Sequence, residues 1–190
     1  PPPPPPTPPP PPPPPPHVYY QRVAEDHDRL CDLFLVDVDK KEILQKVKEI
    51  ILGKFLVDKR MMIEASVSSS NSKTTKSISL NDIVIHNYGL LRMIQMKVFV
   101  NDYLINVHRS DGIIISTPTG STAYSLSAGG PIVTPGVDSI IITPTSAHTL
   151  TSRPLVIPGS SKITIEFSDA DKSILFIADG QIHDTLDPSC

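Results

Sequence analysis

Cysteine is scarce in this sequence, with only Cys31 and Cys190 among 190 residues. The two are far apart and have no histidine neighbours at ligand spacing. We therefore expect free thiols in a reducing, cytoplasmic compartment rather than a disulfide framework. The chain also contains no Cys-x-x-Cys and no His-Glu-x-x-His pattern, so it offers no metal ligands at the spacing of a zinc site.

A strong excess of one charge and a long apolar run are absent too. The formal net charge is −3 and the basic residues are scattered, which argues against a nucleic-acid-binding face. No apolar run reaches membrane-spanning length, and no signal peptide is readable. We accordingly expect neither nucleic acid nor a membrane among the partners.

Proline, by contrast, fills residues 1–16 except at Thr7. Such a run forms a polyproline II rod of roughly 50 Å, at about 3.1 Å per residue. It is either a low-complexity tail or linker, or a ligand for a polyproline-binding domain with an aromatic-lined groove. About 174 residues remain outside it, enough for one domain with a core.

A helix is predicted from Asp39, which pairs with Glu42 as a capping box, to Gly53. It carries an apolar stripe of Ile43, Leu44, Val47, Ile50 and Ile51. The preceding segment, 33–38, is predicted as a short strand or an extended lead-in. Residues 17–32 have no clear assignment and are treated as an uncertain remnant of an upstream region.

The rest of the chain is dominated by strand patterns, with a hairpin turn at Asn101-Asp102 and a polar mobile loop at 68–79. About nine strands and two short helices predict a mainly β fold, a β-sandwich over residues 33–190. Ile113 and Ile140 lie in all-apolar strands that need cover on both faces, which favours association. The predicted strands are 55–57, 59–67, 80–85, 96–100, 104–107, 113–115, 140–142, 162–167 and 173–177.

The segment Asp111–Pro131 is the most informative part of the chain. It predicts a buried strand, a break at Pro118, a hydroxyl-rich loop and a short helix over 123–128. A helix start leaves backbone N–H groups unpaired, Ser121 and Thr122 add hydroxyls, and Gly120 would let a ligand approach the backbone. This indicates a receptor for anionic or sugar-bearing groups. The alternative is a capped helix that simply follows a strand.

The same segment closely resembles the signature of the NAD kinase family, whose members transfer a phosphoryl group from ATP to the 2′-hydroxyl of NAD and form NADP. Weaker similarities follow in the family's order at 80–85, 150–158 and 179–181. The resemblance implies the family's C-terminal, NAD-binding β-sandwich. It also implies NAD and ATP as substrates, Mg²⁺ without ligands identified here, and a homo-oligomer that binds NAD or NADP.

The resemblance assigns the NAD ribose contact to Asn81 and Asp82, where Asp replaces the family's Glu. It assigns Asp111 to the nicotinamide end of NAD, across a subunit boundary, and Ser110 precedes it where the family usually has Gly. It assigns the adenosine pocket to Thr119, Thr122, Ala123, Tyr124 and Ser127, and further substrate contacts to Ser146 and His148. Tyr124 is an aromatic face on which a base can stack, or alternatively a core anchor.

One family element is missing. NAD kinases carry a Gly-Gly-Asp-Gly motif in an upstream α/β domain, and residues 1–32 contain nothing like it. Phosphoryl transfer needs in-line placement and charge neutralisation, which this sequence does not supply. We therefore expect the chain to be inactive alone, with no catalytic residue of its own. The alternatives are a non-catalytic NAD(P)-binding or assembly subunit, and a proline-rich interaction protein.

Overall fold

The computed structural model describes residues 17–22, 41–54, 57–68, 74–88, 93–146, 152–167 and 174–186. Several sequence predictions lie outside these residues. They are the proline run, the extended segment 33–38, the helix start at Asp39 and the site residue His148.

The described residues form twelve strands in two six-stranded sheets, which confirms a mainly β fold with two α-helices. Sheet A has the order β3-β2-β1-β10-β5-β6, and sheet B has the order β12-β11-β4-β7-β8-β9. The helices are α1 (Ile43–Ile51) and α2 (Tyr124–Ser127). The strands are β1 (His17–Arg22), β2 (Ile63–Ser68), β3 (Thr75–Ser79), β4 (Asp82–Asn87), β5 (Ile94–Val100), β6 (Tyr103–Ser110), β7 (Gly112–Ser116), β8 (Ser139–Thr145), β9 (Leu155–Pro158), β10 (Ile163–Phe167), β11 (Ile174–Ala178) and β12 (Gln181–Leu186).

Eight of the nine predicted strands are found, and four more were missed because they carry weak sequence signals. The predicted strand 55–57 lies largely outside the described residues, and Val57 is not in a strand. β1 lies between β2 and β10, so sheet A includes residues that the sequence analysis set apart as a remnant before residue 33. β3 replaces the second half of the predicted mobile loop, since its alternating Ser77 and Ser79 are small enough to be buried. β9 ends in a proline at the sheet edge, where no ladder donor is needed. β12 follows the turn at Asp179-Gly180.

The apolar stripe of α1 is not a core element. The helix begins at Ile43 with Glu42 at the N-cap position, and Glu42 makes no side-chain capping bond. Gly53 follows the helix with φ 73°, the left-handed conformation predicted at that point. None of the residues of α1 is buried, so the helix is amphipathic but its apolar stripe is not part of the core.

The core lies between the inner faces of the two sheets and includes Met96 and Ile165 from sheet A and Ile85 and Ile113 from sheet B. β7 and β8 are buried along their whole length, as predicted. Ile114 has no exposed surface although it points away from the core, and α2 and the preceding 3-10 helix contact β7. A single chain therefore covers both faces of these strands, and the association argument based on Ile113 and Ile140 is wrong.

Candidate functional site

The loop after β7 is fastened to the start of β4 by hydrogen bonds. The Thr117 hydroxyl donates to the Leu80 carbonyl at 2.6 Å and accepts from the Gly120 N–H at 3.0 Å. The Thr117 N–H donates to the Asn81 carbonyl at 2.9 Å. These bonds hold the 3-10 helix (Thr119–Thr122) against the end of sheet B.

Part of the hydroxyl-rich loop is structural rather than a ligand receptor. Ser121 is fully buried, and its hydroxyl donates to the Pro118 carbonyl at 2.6 Å and accepts from the Val133 N–H at 3.0 Å. The hydroxyls of Ser125 and Thr143 lie 3.0 Å apart in the interior. The prediction that Ser121 faces a ligand is therefore wrong, because folding already satisfies its hydrogen-bonding capacity.

Gly120 has a similar internal explanation. A Cβ atom at this position would overlap the carbonyl group of Asn81. Glycine is therefore required because the backbone of Asn81, just before β4, lies so close, and not because a ligand approaches. Gly120 nonetheless brings the loop near enough to β4 for the following residues to project outward.

Those following residues form an exposed surface, which we call the nucleotide turn and define as Thr122, Ala123, Tyr124 and Ser127. All four are exposed, and 46% of Tyr124 is accessible to solvent. The Thr122 hydroxyl donates to the Thr119 carbonyl at 3.3 Å. Tyr124 therefore does not anchor α2 in the core, and its ring is available to a planar ligand.

Asp82 lies beneath this turn with only 5% of its surface exposed. Burial, and next the nearby carboxylate of Asp179, raise the pKa of Asp82 to about 6, while a hydrogen bond from the Tyr124 backbone N–H opposes the rise. The Asp82 carboxylate therefore contacts the first residue of α2. Its charge changes in a range where ordinary aspartates stay ionised.

Sequence reasoning missed two further residues near the turn. Arg60 forms an ion pair with Asp58, and its guanidinium donates to the Thr119 hydroxyl at 3.4 Å. Asp179 accepts hydrogen bonds from the backbone at the start of β4. No local pattern marks Arg60, whereas the Asp-Gly dipeptide signals a turn at Asp179 without revealing its partners.

Asp111 and Ser146 lie at the other end of sheet B. The Asp111 N–H donates to the Thr145 carbonyl at 3.2 Å, and Ser146 is exposed with φ 48°. In β7 the register pairs Gly112 with Thr145, whereas Ser116 pairs with Asp82. The hydroxyls of Ser125 and Thr143 lie 3.0 Å apart and Thr143 pairs with Ile114, so α2 folds back over the middle of β7.

One residue at each end of sheet B bears on the family resemblance. Ser110 is fully buried, and its hydroxyl donates to the Gly112 carbonyl at 2.8 Å, so the bend accommodates a side chain there. Asn81, at the opposite end, is half-buried and contributes its backbone to the loop.

Within the described ranges, histidine, cysteine, aspartate and glutamate form no group of three that could hold a metal ion. In the same ranges, no helix combines the length and apolar character needed to cross a membrane.

Comparisons with known proteins place these observations in a family. Residues 80–189 match the family described as ATP-NAD kinase C-terminal domain. The chain is 43% identical to the NAD kinase of Yersinia pestis over 149 residues, covering 78% of this chain and 51% of the relative. It is also 43% identical over 148 residues to the NAD kinase of Caldanaerobacter subterraneus subsp. tengcongensis, with 78% and 52% covered. The chain thus spans about half the length of these curated relatives.

Solved structures show the same similarity. Yeast NADH kinase complexed with NADH gives a TM-score of 0.75 at 33% identity, covering 81% of this chain and 45% of that one. An NAD kinase from Archaeoglobus fulgidus in complex with ATP gives a TM-score of 0.66 at 25% identity, with 80% and 56% covered.

Proposed function

The chain belongs to the ATP-NAD kinase family, and from this premise we propose that it forms the NAD-binding part of an NAD kinase. The proposed reaction transfers a phosphoryl group from ATP to the 2′-hydroxyl of the adenosine ribose of NAD and yields NADP. The observation that carries the proposal is the exposed nucleotide turn, held over the buried carboxylate of Asp82 at the end of β7.

Each residue of the turn has a role that its exposure allows. Tyr124 stacks on the adenine ring, and Ala123 leaves space for a flat group beside it. The hydroxyls of Thr122 and Ser127 donate to or accept from the adenosine. Asn81 and Asp82 lie at the inner side of the turn, where the side-chain oxygens of Asp82 can accept a hydrogen bond from a ribose hydroxyl.

This chain binds and orients in the proposal, and it does not supply the chemistry. ATP is the phosphoryl donor, and Mg²⁺ would neutralise charge on its phosphates. The described residues contain no three-ligand cluster for a metal, so we assign no step to Mg²⁺ on this chain. The 190 residues also contain no Gly-Gly-Asp-Gly sequence.

A second copy of the chain completes the site in the same proposal. The family resemblance assigns Asp111 to the nicotinamide end of NAD across a subunit boundary, and Ser146 lies near it at the same end of sheet B. A partner that brings these residues to the turn would place a carboxylate at the nicotinamide end of NAD. His148, which lies outside the described residues, belongs to the same predicted set.

The free edge of sheet A is the surface on which we place this second copy. β6 is the edge strand, and it ends immediately before Asp111. An unpaired strand edge can pair with its own copy in antiparallel orientation about a twofold axis. Its side chains favour such pairing, because four apolar residues along it are 42–75% exposed: Tyr103, Leu104, Ile105 and Val107.

The proposal is tested by titrating the 190-residue chain with NAD, NADP and ATP in a calorimeter and assaying NADP formation. We expect saturable NAD binding without NADP formation, because the Gly-Gly-Asp-Gly sequence is absent. Saturating NAD should also raise the free energy of unfolding, by about 2.7 kcal/mol at a hundredfold excess over Kd. A chain that is folded but does not bind NAD would refute the proposal, and NADP formation would show that the chemistry is misplaced.

An assay of NADP formation by the full-length gene product distinguishes the kinase from the second candidate, a non-catalytic NAD(P)-binding or assembly subunit. NADP formation by that product supports the kinase, whereas NAD binding without turnover supports the alternative. The cytoplasmic location and the polyproline-binding partner remain predictions, and a pulldown with a polyproline-binding domain tests the latter.

A further inference from the structure

Asp179 occupies an unusual backbone conformation in the turn between β11 and β12. Its φ is 46°, and Gly180 follows with φ 75°. A residue other than glycine is disfavoured in this left-handed region unless its surroundings hold it there. The contacts of its side chain explain what holds it.

The Asp179 carboxylate accepts three backbone hydrogen bonds from consecutive residues at the start of β4. The Leu80 N–H donates to Oδ2 at 2.8 Å, and the N–H groups of Asn81 and Asp82 donate to Oδ1 at 2.8 and 3.1 Å. The Asp179 N–H in turn donates to the Asp82 carbonyl at 3.0 Å. One side chain therefore clamps three residues.

The clamped residues are those that support the nucleotide turn. Leu80 and Asn81 accept the hydrogen bonds from Thr117, and Asn81 lies against Gly120. Asp82 meets the backbone N–H of Tyr124. The path from the Asp179 carboxylate to the first residue of α2 thus passes through one intermediate residue.

We propose that Asp179 is a positioning residue of the nucleotide site, whose carboxylate fixes the Leu80–Asp82 backbone and thereby the orientation of Asp82 and Tyr124. The inference rests on the proposed NAD site, but the contacts that carry it are independent of any ligand. Asp179 acts through Asp82 and needs no contact with the nucleotide.

Because Asp179 is an acidic residue, the proposal predicts an effect on the pH dependence of NAD binding that a purely structural role would not produce. Asp82 is faced by Ser116 of β7, by Asp179 in the turn after β11 and by Tyr124 of α2. Among these, Asp179 is the neighbouring carboxylate, and after burial it is the second cause that raises the pKa of Asp82. Removing its charge should lower the pKa of Asp82 and shift the pH dependence of NAD binding downward.

The test compares Asp179→Asn with Asp179→Glu and with a matched control, Asp102→Asn. Asp102 is also an exposed aspartate at positive φ (68°) in a hairpin turn, but it lies in sheet A. We expect Asp179→Asn to weaken NAD binding about tenfold to a hundredfold, since charge-assisted hydrogen bonds are lost. The midpoint of the pH profile of its NAD binding should lie below the wild-type midpoint, because Asp179 raises the pKa of Asp82.

Asp179→Glu keeps the charge but shifts the acceptor oxygens, so we expect weaker binding with a wild-type pH midpoint. Asp102→Asn should leave both the affinity and the pH profile unchanged. Wild-type affinity and pH profile in Asp179→Asn would overturn the proposal. If that variant does not fold, wild-type affinity in Asp179→Glu would overturn it instead.

A failure of the proposed function gives a different result. If the wild-type chain does not bind NAD, the proposed function is refuted. Amide hydrogen exchange then tests separately whether the Asp179 carboxylate holds the Leu80–Asp82 backbone. The Tyr124 amide should then exchange faster in Asp179→Asn than in Asp102→Asn. An unchanged exchange rate would refute the clamp.

Discussion

Tyr124 and Asp82 meet at a single backbone group, the N–H that begins α2. Tyr124 is 46% exposed, while its N–H donates to the buried carboxylate of Asp82. An exposed aromatic side chain on a fixed backbone loses little conformational freedom on binding a ring. The residue-scale predictions therefore concern the ring of Tyr124 and the charge of Asp82.

Tyr124→Ala should weaken NAD binding by about 1–3 kcal/mol, because a stacking contact with a base is lost. Tyr124→Phe is the matched control, since it keeps the ring and removes only the hydroxyl. Calorimetry on both folded variants measures the difference. If Tyr124→Ala binds as tightly as wild type, Tyr124 does not belong to the site.

Asp82→Asn should stabilise the fold above about pH 6 relative to wild type. The folded pKa of Asp82 is raised, to about 6 from an ordinary 3.8, so the folded state binds the proton more tightly than the unfolded state. The wild type therefore loses stability as pH rises from about 4 to 6, by up to about 3 kcal/mol at 1.4 kcal/mol per pKa unit.

Urea unfolding of both proteins at pH 4 and pH 7 checks this sign. The stability difference between Asp82→Asn and wild type should grow with pH, whereas Asp102→Asn should track the wild type. A difference that is constant across this range would mean that the Asp82 carboxyl is not perturbed in the folded state.

At the scale of elements, the nucleotide turn depends on the contact between the loop after β7 and the start of β4. Two kinds of interaction make this contact: hydrogen bonds from the Thr117 hydroxyl and N–H to the Leu80 and Asn81 carbonyls, and the close backbone approach at Gly120. Ser121 adds a buried link to Val133. The loop therefore behaves as a packed part of sheet B and holds α2 in place.

Gly120→Ala should destabilise the protein by about 1–3 kcal/mol, the usual cost of forcing extra volume into a packed interior. The added methyl group would collide with backbone, which cannot rotate away as a side chain can. Gly136→Ala is the control, because a Cβ there meets nothing within 4 Å. Equal urea midpoints for the two variants would contradict the packing described for the loop.

At the scale of the whole molecule, the two sheets are closed against each other but sheet A keeps an apolar edge. Natural edge strands usually carry charges, proline or bulges that prevent pairing with other chains. The exposed stretch of β6 presents Tyr103, Leu104, Ile105 and Val107 instead. In our proposal, this edge has the role in association that the sequence analysis assigned to the buried isoleucines of β7 and β8.

Ile105→Lys should shift the chain from an oligomer to a monomer and weaken NAD binding, because the second copy supplies Asp111. Val57→Lys, at another exposed apolar side chain outside β6, should do neither. Light scattering on a gel-filtration column, with and without NAD, measures the mass. A monodisperse wild-type monomer under both conditions would refute the oligomer.

Sequence patterns alone predicted the β-rich fold, the buried strand of β7, the hairpin at Asn101-Asp102 and the family. Each of these depends on local signals: apolar runs, turn residues with positive φ, and a dense motif. The structure leaves Thr122, Ala123, Tyr124 and Ser127 exposed. Their roles toward NAD remain predictions.

Which polar groups of the motif are exposed depends instead on long-range packing. The sequence predicts that Ser121 and Gly120 face a ligand. In the structure, the Ser121 hydroxyl is hydrogen-bonded to Val133, and Gly120 packs against the Asn81 backbone just before β4. The Asp179 clamp joins residues almost a hundred positions apart, and β1 enters sheet A between strands distant in sequence. Such partners come from long-range backbone pairing, which leaves no periodicity in the local sequence.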